Sequence, residues 1–475
     1  MRRERSPGIK LFFVGMVGFV LLVPLLMVYA LVSDRQHQAR VAQDSITAGW
    51  GGAQTLSGPV LIIPYDEVTT QTENRNGQTV TRQVTARREL TLSPVEQTVD
   101  TSLEPEVRKK SIYETVTYLA ATKGEAAFAL PDDQERLDVD LGSLRLAETE
   151  LRFGVSDPRG LQGDAKADAT SAAGGQTLTL KPGKGPSESG GSGFQGYLEW
   201  DGEGTLAVDY SYTLRGSRSL SLIPRGGQTD WSVNSEWAHP SFTGGFLPDA
   251  REVGDDGFEA NWSIANLALG RSIASTSDTG IVENAGNIPA PPPPPVRVST
   301  YDVGASGGQV AEVRLVEPVD LYSQVDRSVK YGFLVIGFTF LTFLMFDLVA
   351  GARVAAAEYL LTGAGLVLFF VLLLAFSEVI GFAAAFAAAT LAIVGLLTAY
   401  SAAVLGTRKR ALSIGAILLG LYSGLYVLLS LEEYSLLIGS VFMFLALAAV
   451  MFTTRNIDWS SVGKRSDDEE LETAS

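Results

Sequence analysis

Apolar residues fall into two regimes along this chain: long uninterrupted runs at its two ends and short alternating runs between them. Leu11 to Val32 is a 22-residue stretch without a charge. Beyond Lys330 the chain is apolar again over Tyr331–Phe346, extending past Asp347 to Ala352, then Tyr359–Phe376, about Gly381–Leu405, Ala411–Leu431 and Tyr434–Thr454. A membrane-spanning helix needs about 20 such residues, because backbone groups left unpaired in hydrocarbon are costly. The pattern therefore predicts six spanning helices. Val28-Tyr29-Ala30 has the small-residue spacing of a signal-peptide cleavage site. The first run is nevertheless longer than the ~7–15 residues of a secretory signal, so it reads as an uncleaved anchor.

Flanking charges set the orientation. Arg2, Arg3, Arg5 and Lys10 precede the first run against a single acid, Glu4. Basic residues gather on the cytoplasmic side, which puts residues 1–10 inside and residues 33–330 outside. Arg353, Arg408-Lys409-Arg410 and Arg455 then fall at inner turns, whereas Glu378 and Glu432-Glu433 fall at outer ones. Residues 331–454 hold spans two to six, and 455–475 form a cytoplasmic acidic tail. The chain is thus expected to cross a membrane several times, with both termini inside.

The stretch between the anchor and Lys330 alternates like a sheet. Runs rich in β-branched and aromatic residues occur at Pro59–Pro64, Glu89–Leu92, Ser111–Tyr118, Leu151–Val155, Thr205–Leu214 and Gly257–Ile264. Gly, Pro, Asn and Asp punctuate the gaps, as in antiparallel rather than βαβ architecture. Gln36–Ser45 reads as a helix continuing from the anchor. Loops or disorder are expected at 69–83, which is polar, at 162–193, which is rich in Gly, Ser and Ala, and at 271–296, which ends in Pro291–Pro295. The fold class is thus a membrane α-helical bundle of six helices plus a large, β-rich, sandwich-like external domain.

Composition narrows the chemistry. The 475 residues include no cysteine and only two histidines, His37 and His239. Thiolate chemistry is excluded, and a zinc site built on several histidines is too, so no metal and no cofactor is expected. A net charge of −16 argues against nucleic acid as a partner.

Several strings resemble the CreD family of bacterial inner-membrane proteins. They include Ser57–Tyr65 (SGPVLIIPY), Glu104–Glu114 (EPEVRKKSIYE), Ser156–Gly160 (SDPRG), Leu214–Gly226 (LRGSRSLSLIPRG), Ser235–Pro248 (SEWAHPSFTGGFLP) and Glu317–Tyr322 (EPVDLY). Val329–Phe343, Glu358–Phe382, Gly424–Ser440 and Thr454–Trp459 continue the likeness through the membrane part. The chain departs from the family at Lys110-Ser111-Ile112-Tyr113, where Arg-Gly-Ile-Tyr is usual, at Ala356-Ala357, where His-Pro is usual, and in its proline-rich insertion. The resemblance implies a bacterial inner membrane as the localisation, with the external domain periplasmic, and a role in envelope integrity and stress response, with links to colicin tolerance. It brings no catalytic or ligand residues with it.

Two groups of residues stand out as candidate sites. Trp237, His239, Phe242, Phe246 and Trp262 form the densest aromatic patch outside the membrane, readable as a lipid- or glycan-binding face or as a β-domain core. Arg327 and Lys330 enter the second span at the level expected for Glu378, Glu432 and Glu433, so these charges are expected to couple the external domain to the bundle. Asp157-Pro158-Arg159-Gly160 reads as a turn, and Trp50 as a residue near the membrane interface. No nucleophile with its base is evident, so the chain is expected to be no enzyme, although a hydrolase stays open. The function expected is a non-enzymatic scaffold or binding protein. The alternative is a carrier for a lipid-linked envelope component, and an ion or proton transporter is a weaker reading. Membrane lipid and another envelope protein or lipid-linked precursor are the partners expected.

Overall fold

A computed structural model describes residues 7–75, 78–131, 139–276, 309–316, 321–349, 356–405, 407–430 and 435–455. Helix α1 (Pro7–Trp50) runs for 44 residues, through Pro24 and past the apolar run into polar sequence, as the helical reading of Gln36–Ser45 requires. Long strands follow: β1 (Gln54–Arg75), β2 (Gln78–Leu92), β3 (Glu96–Lys110) and β4 (Tyr113–Phe128). Shorter ones come next, β5 (Thr149–Val155), β6 (Leu161–Ser171), β7 (Gly174–Leu178), β8 (Lys181–Lys184) and β9 (Ser192–Leu198). The chain continues with β10 (Leu206–Ser217), β11 (Ser219–Ile223), β12 (Gln228–Ser235), β13 (Pro240–Gly244), β14 (Ala250–Gly254) and β15 (Gly257–Ala265). The one-turn helix α2 (Asn266–Leu269), β16 (Ala274–Ser275) and β17 (Ala311–Leu315) end the β region.

These strands form two sheets. One holds nine strands, with the path β13-β17-β11-β1-β5-β9-β8 and the pair β2-β16 branching from β1. The other holds eight, in the order β14-β15-β12-β3-β4-β10-β6-β7. The alternation expected of strands is visible in β12 and β15, where every second residue is buried. One hydrophobic cluster draws on both sheets, taking Leu61, Ile63 and Phe153 from the first and Val99, Tyr118, Val208 and Trp231 from the second. At its aromatic centre Phe153 stacks on Phe194 at 4.8 Å and meets Tyr210 edge-on at 5.1 Å.

The six alternating runs lie in strands, except that Ser111-Ile112 turn the chain from β3 into β4. Two expected loops are corrected. The polar stretch 69–83 is a β-ribbon in which β1 and β2 pair from Leu61↔Leu92 out to Arg75↔Gln78. Threonine and valine favour extended backbone, and the two strands pair here through their backbones without apolar alternation in sequence. The stretch 162–193 holds β6, β7, β8 and the start of β9. Its glycines at 174, 190 and 191 take positive φ and make the turns, while Ala167 and Ala169 face the core. Of 271–296, residues 271–276 are described and include β16; the proline run lies outside the described residues.

The remaining helices are α3 (Leu321–Lys330), α4 (Gly332–Val349), α5 (Ala356–Ile380), α6 (Phe382–Leu405), α7 (Arg408–Ser430) and α8 (Ser435–Thr454). Among the described residues five helical stretches are long and apolar enough to cross a membrane: Phe12–Trp50, Leu321–Leu344, Ala357–Ile380, Phe382–Ala403 and Arg408–Ser430. The second of them is two helices, because the amphipathic α3 precedes the apolar α4. Compact units divide at Ala42 and Pro318: residues 1–41 and 319–475 form one, residues 42–318 the other. In the first unit Val17, Leu21, Leu25, Val28 and Val32 line one face of α1 and are buried with Phe340, Phe370 and Tyr422. Glycines admit that face. A Cβ at Gly363 would overlap Leu21, and one at Gly332 would stand 2.9 Å from Phe370 and 3.1 Å from Leu25.

Candidate functional site

The expected aromatic patch is mostly core. Trp262 is 2% exposed, stacks on Trp231 at 4.6 Å and donates from Nε1 to the Phe246 carbonyl at 3.1 Å. Phe242 packs edge-on to Trp262 and Phe258, at 5.8 and 5.7 Å. Trp237 and Phe246 lie against the same cluster, and Trp237 Nε1 donates to the Val316 carbonyl at 3.1 Å. Only His239 is exposed, and its backbone carbonyl accepts from Val316 N. A tryptophan with a buried polar N–H needs an internal acceptor, and these have one. The four aromatic residues therefore act together as packing, with His239 exposed beside them.

The charged group is brought together differently from expectation. Glu378, near the end of α5, is 14% exposed in its side chain; its Oε1 accepts from the Tyr322 hydroxyl at 3.2 Å and lies 4.0 Å from Arg35 of α1. Lys330 instead pairs with Asp326 of its own helix at 2.6 Å and lies 6.0 Å from the Tyr29 ring. Arg327 sits on α3 with a partly buried side chain, and Glu432 and Glu433 lie outside the described residues. The cation found for Glu378 comes from α1, because the helix continues as a helix beyond Val32 and carries Arg35 to that level. Counting loop charges alone does not show this.

The most heavily built polar site gathers around the last turns of α1, inside the β unit. Gln43 Nε2 donates to the Glu114 carbonyl at 2.9 Å, Asp44 pairs with Arg218 at 2.7 Å, and Lys110 Nζ donates to Ser45 Oγ. Trp50 has two guanidinium carbons near its ring, Arg108 at 3.4 Å and Arg215 at 4.1 Å from the centroid. Its Nε1 points to the Tyr118 carbonyl at 3.5 Å. Trp50 is thus a half-buried residue held by arginines of the β unit.

The chain leaves the helix through Gly51, whose φ of +137° only glycine adopts easily and whose Cβ would stand 2.8 Å from the Arg215 carbonyl. Fully buried Gln54 then ties three segments together. Its Nε2 donates to the carbonyls of Arg215 and Asp157, at 2.9 and 3.2 Å, and its Oε1 accepts from Ser156 Oγ and Asp157 N, both at 3.1 Å. The turn expected at Asp157–Gly160 is present. Asp157 caps it by accepting from Arg159 N, and its hydrogen bond with the Arg159 side chain holds its carboxyl below the usual range. Tyr118, buried beside the site, donates to the Ser219 carbonyl at 2.6 Å, and burial pushes its hydroxyl pKa far up.

This collar is built from residues that do not neighbour one another in sequence. Arg108, Lys110 and Glu114 come from one string of the resemblance, Asp157 from a second, Arg215 and Arg218 from a third. The clustering of those strings was the signal that would have found it. Ser111 at the rim has φ +59°, a left-handed conformation suited to the glycine that the resemblance expects there. Arg218 shares that conformation, φ +66°, while pairing with Asp44.

Comparison with known proteins agrees with the strings. A family model described as "Inner membrane protein CreD" matches residues 6–460. The curated "Inner membrane protein CreD" of Escherichia coli (strain K12) is 32% identical over 451 residues, covering 93% of this chain and 91% of that protein. With the match running from the start of α1 beyond the end of α8, the chain belongs to the CreD family of inner-membrane proteins.

Proposed function

We propose that this CreD-family protein crosses the inner membrane six times, with both termini in the cytoplasm and the β region, a two-sheet sandwich, on the periplasmic side. There it serves envelope integrity and the response to envelope stress as a non-enzymatic scaffold or binding protein. The observation that carries this reading is the collar. Asp44, Ser45 and Trp50 in the last turns of α1 are fixed among the strands of the β unit, so the helix that begins as an apolar anchor ends as part of the folded β region. The basic residues Arg2, Arg3, Lys10 and Arg408-Lys409-Arg410 support the orientation.

Because the chain has no cysteine, single cysteines introduced at positions such as Thr70, Glu199 and Ser413 report sidedness directly. Labelling of intact cells by a membrane-impermeant maleimide is expected at Thr70→Cys and Glu199→Cys and not at Ser413→Cys. The reverse pattern would overturn the topology. Native-nanodisc purification with mass spectrometry then tests the role: a protein partner recovered in stoichiometric amount supports the scaffold, whereas a lipid-linked wall precursor in its place would replace it with the carrier.

A further inference from the structure

Acids of the β unit are commonly neutralised where they stand: Asp44 by Arg218, Asp66 by Arg145, Glu114 by Lys109, Glu150 by Arg152. One end of the eight-stranded sheet breaks this pattern. Among the described residues β14 is the outermost strand, all five of its residues are exposed, and only β15 pairs with it. The β14–β15 hairpin, with the middle of β3 and the end of β12, bounds an open groove of about 870 Å³. Glu104, Glu236, Glu252, Asp255, Asp256 and Glu259 line it, and no Lys, Arg or His does. Among the described residues none of the six is in an ion pair. Glu252 and Glu259 also stand directly opposite each other across β14 and β15, where like charges destabilise a sheet.

Two features independent of the charge say what kind of occupant fits. The free edge of β14 presents a row of backbone donors and acceptors, the template to which an extended segment adds as a further strand. The groove beside it has room for several side chains, yet among the described residues no three acids converge closely enough to hold a metal ion.

We propose that β14 and this groove receive an extended cationic segment of a partner protein. The segment pairs with the edge of β14 through its backbone, and alternate Lys or Arg side chains on the groove face meet Glu252 and Glu259. The inference deepens the binding-protein reading by naming the chemistry of the partner. Its test is independent of that reading, because topology and co-purification can succeed while the groove stays empty.

The experiment uses the full chain in nanodiscs and a synthetic peptide of alternating lysine and threonine, with an alternating glutamate and threonine peptide as control. Binding of the lysine peptide is expected to weaken about ten-fold when salt rises from about 50 to about 300 mM. Glu252→Gln with Glu259→Gln is expected to weaken it about five-fold at low salt, while Glu199→Gln with Glu203→Gln, exposed acids outside the groove, leaves it unchanged. Hydrogen exchange on the unaltered protein should show the amides of Ala250–Gly254 protected by the peptide. Equal loss in both double variants, no protection of β14, or occupancy of the groove by calcium ions without peptide binding would each overturn the proposal.

Discussion

Helix α1 is held by two different kinds of chemistry along its length. Between Val17 and Val32 it is fixed by close apolar approach, with Leu21 and Leu25 seated where Gly363 and Gly332 leave space. Between Gln43 and Trp50 it is fixed by hydrogen bonds, an ion pair and two arginines against one indole. Lipid is as apolar as leucine, so burying leucine there gains little from leaving water, and shape complementarity has to supply the adhesion. The second stretch lies in a unit rich in charged side chains, where polar groups find partners and cation–π contacts contribute. A mutation that adds one carbon should therefore be severe in the first stretch, and one that removes a ring severe in the second.

The largest effect is expected from Gly363→Leu. Leu21 already fills the position a Cβ would take, and overpacking of this kind costs about 1–3 kcal/mol or displaces α1 outright. Size-exclusion chromatography in mild detergent after a heat ramp should show the variant lost at a temperature the unaltered protein survives; unchanged survival would mean that α1 does not depend on this contact. Trp50→Ala comes next, at about 2 kcal/mol, through loss of two cation–π contacts and of ring packing. Trp50→Phe should recover part of that loss, and limited proteolysis near residues 42–52 reads both.

Ser111→Gly sharpens the comparison in the opposite direction. Relieving a left-handed serine is expected to stabilise the β unit by up to about 1 kcal/mol, seen as a raised unfolding temperature. The smallest effect is titration of Asp157. Its pKa is lowered in the folded protein chiefly by the hydrogen bond with Arg159, so its contribution is complete above the unfolded pKa and disappears as pH falls through the folded one. Melting temperature measured downward from pH 6 should fall in the acid range, and Asp157→Asn should flatten that part of the curve.

Much of this architecture was legible in sequence because its signals are local. Twenty consecutive apolar residues announce a helix in lipid whatever surrounds them, and the strand at Pro59–Pro64 is apolar throughout because both faces of Val60–Ile63 are buried. The ribbon at 69–83 escapes a sequence reading because its residues lack the apolar alternation by which strands are recognised, although Asn76-Gly77 is a strong hairpin dipeptide. The aromatic patch was half read: its residues do meet, but Trp262 turns inward because β15 pairs with β12 in the register that sets it beside Trp231. The collar was invisible for another reason. Trp50, Arg108 and Arg215 are joined only by folding, and no periodicity links them.

Among the described residues, the outer part of the β1–β2 ribbon, from Val68↔Thr85 to Arg75↔Gln78, is paired only with itself. Its length is therefore free to vary in whole rungs: removing or adding one residue on each strand leaves the pairs nearer the sheet, such as Tyr65↔Arg88, in step. A change on one strand alone would turn every outward side chain inward below it. The ribbon is thus the place where this protein can gain or lose length without renegotiating its core, and where a short peptide tag, inserted symmetrically, would travel with the domain and disturb neither sheet.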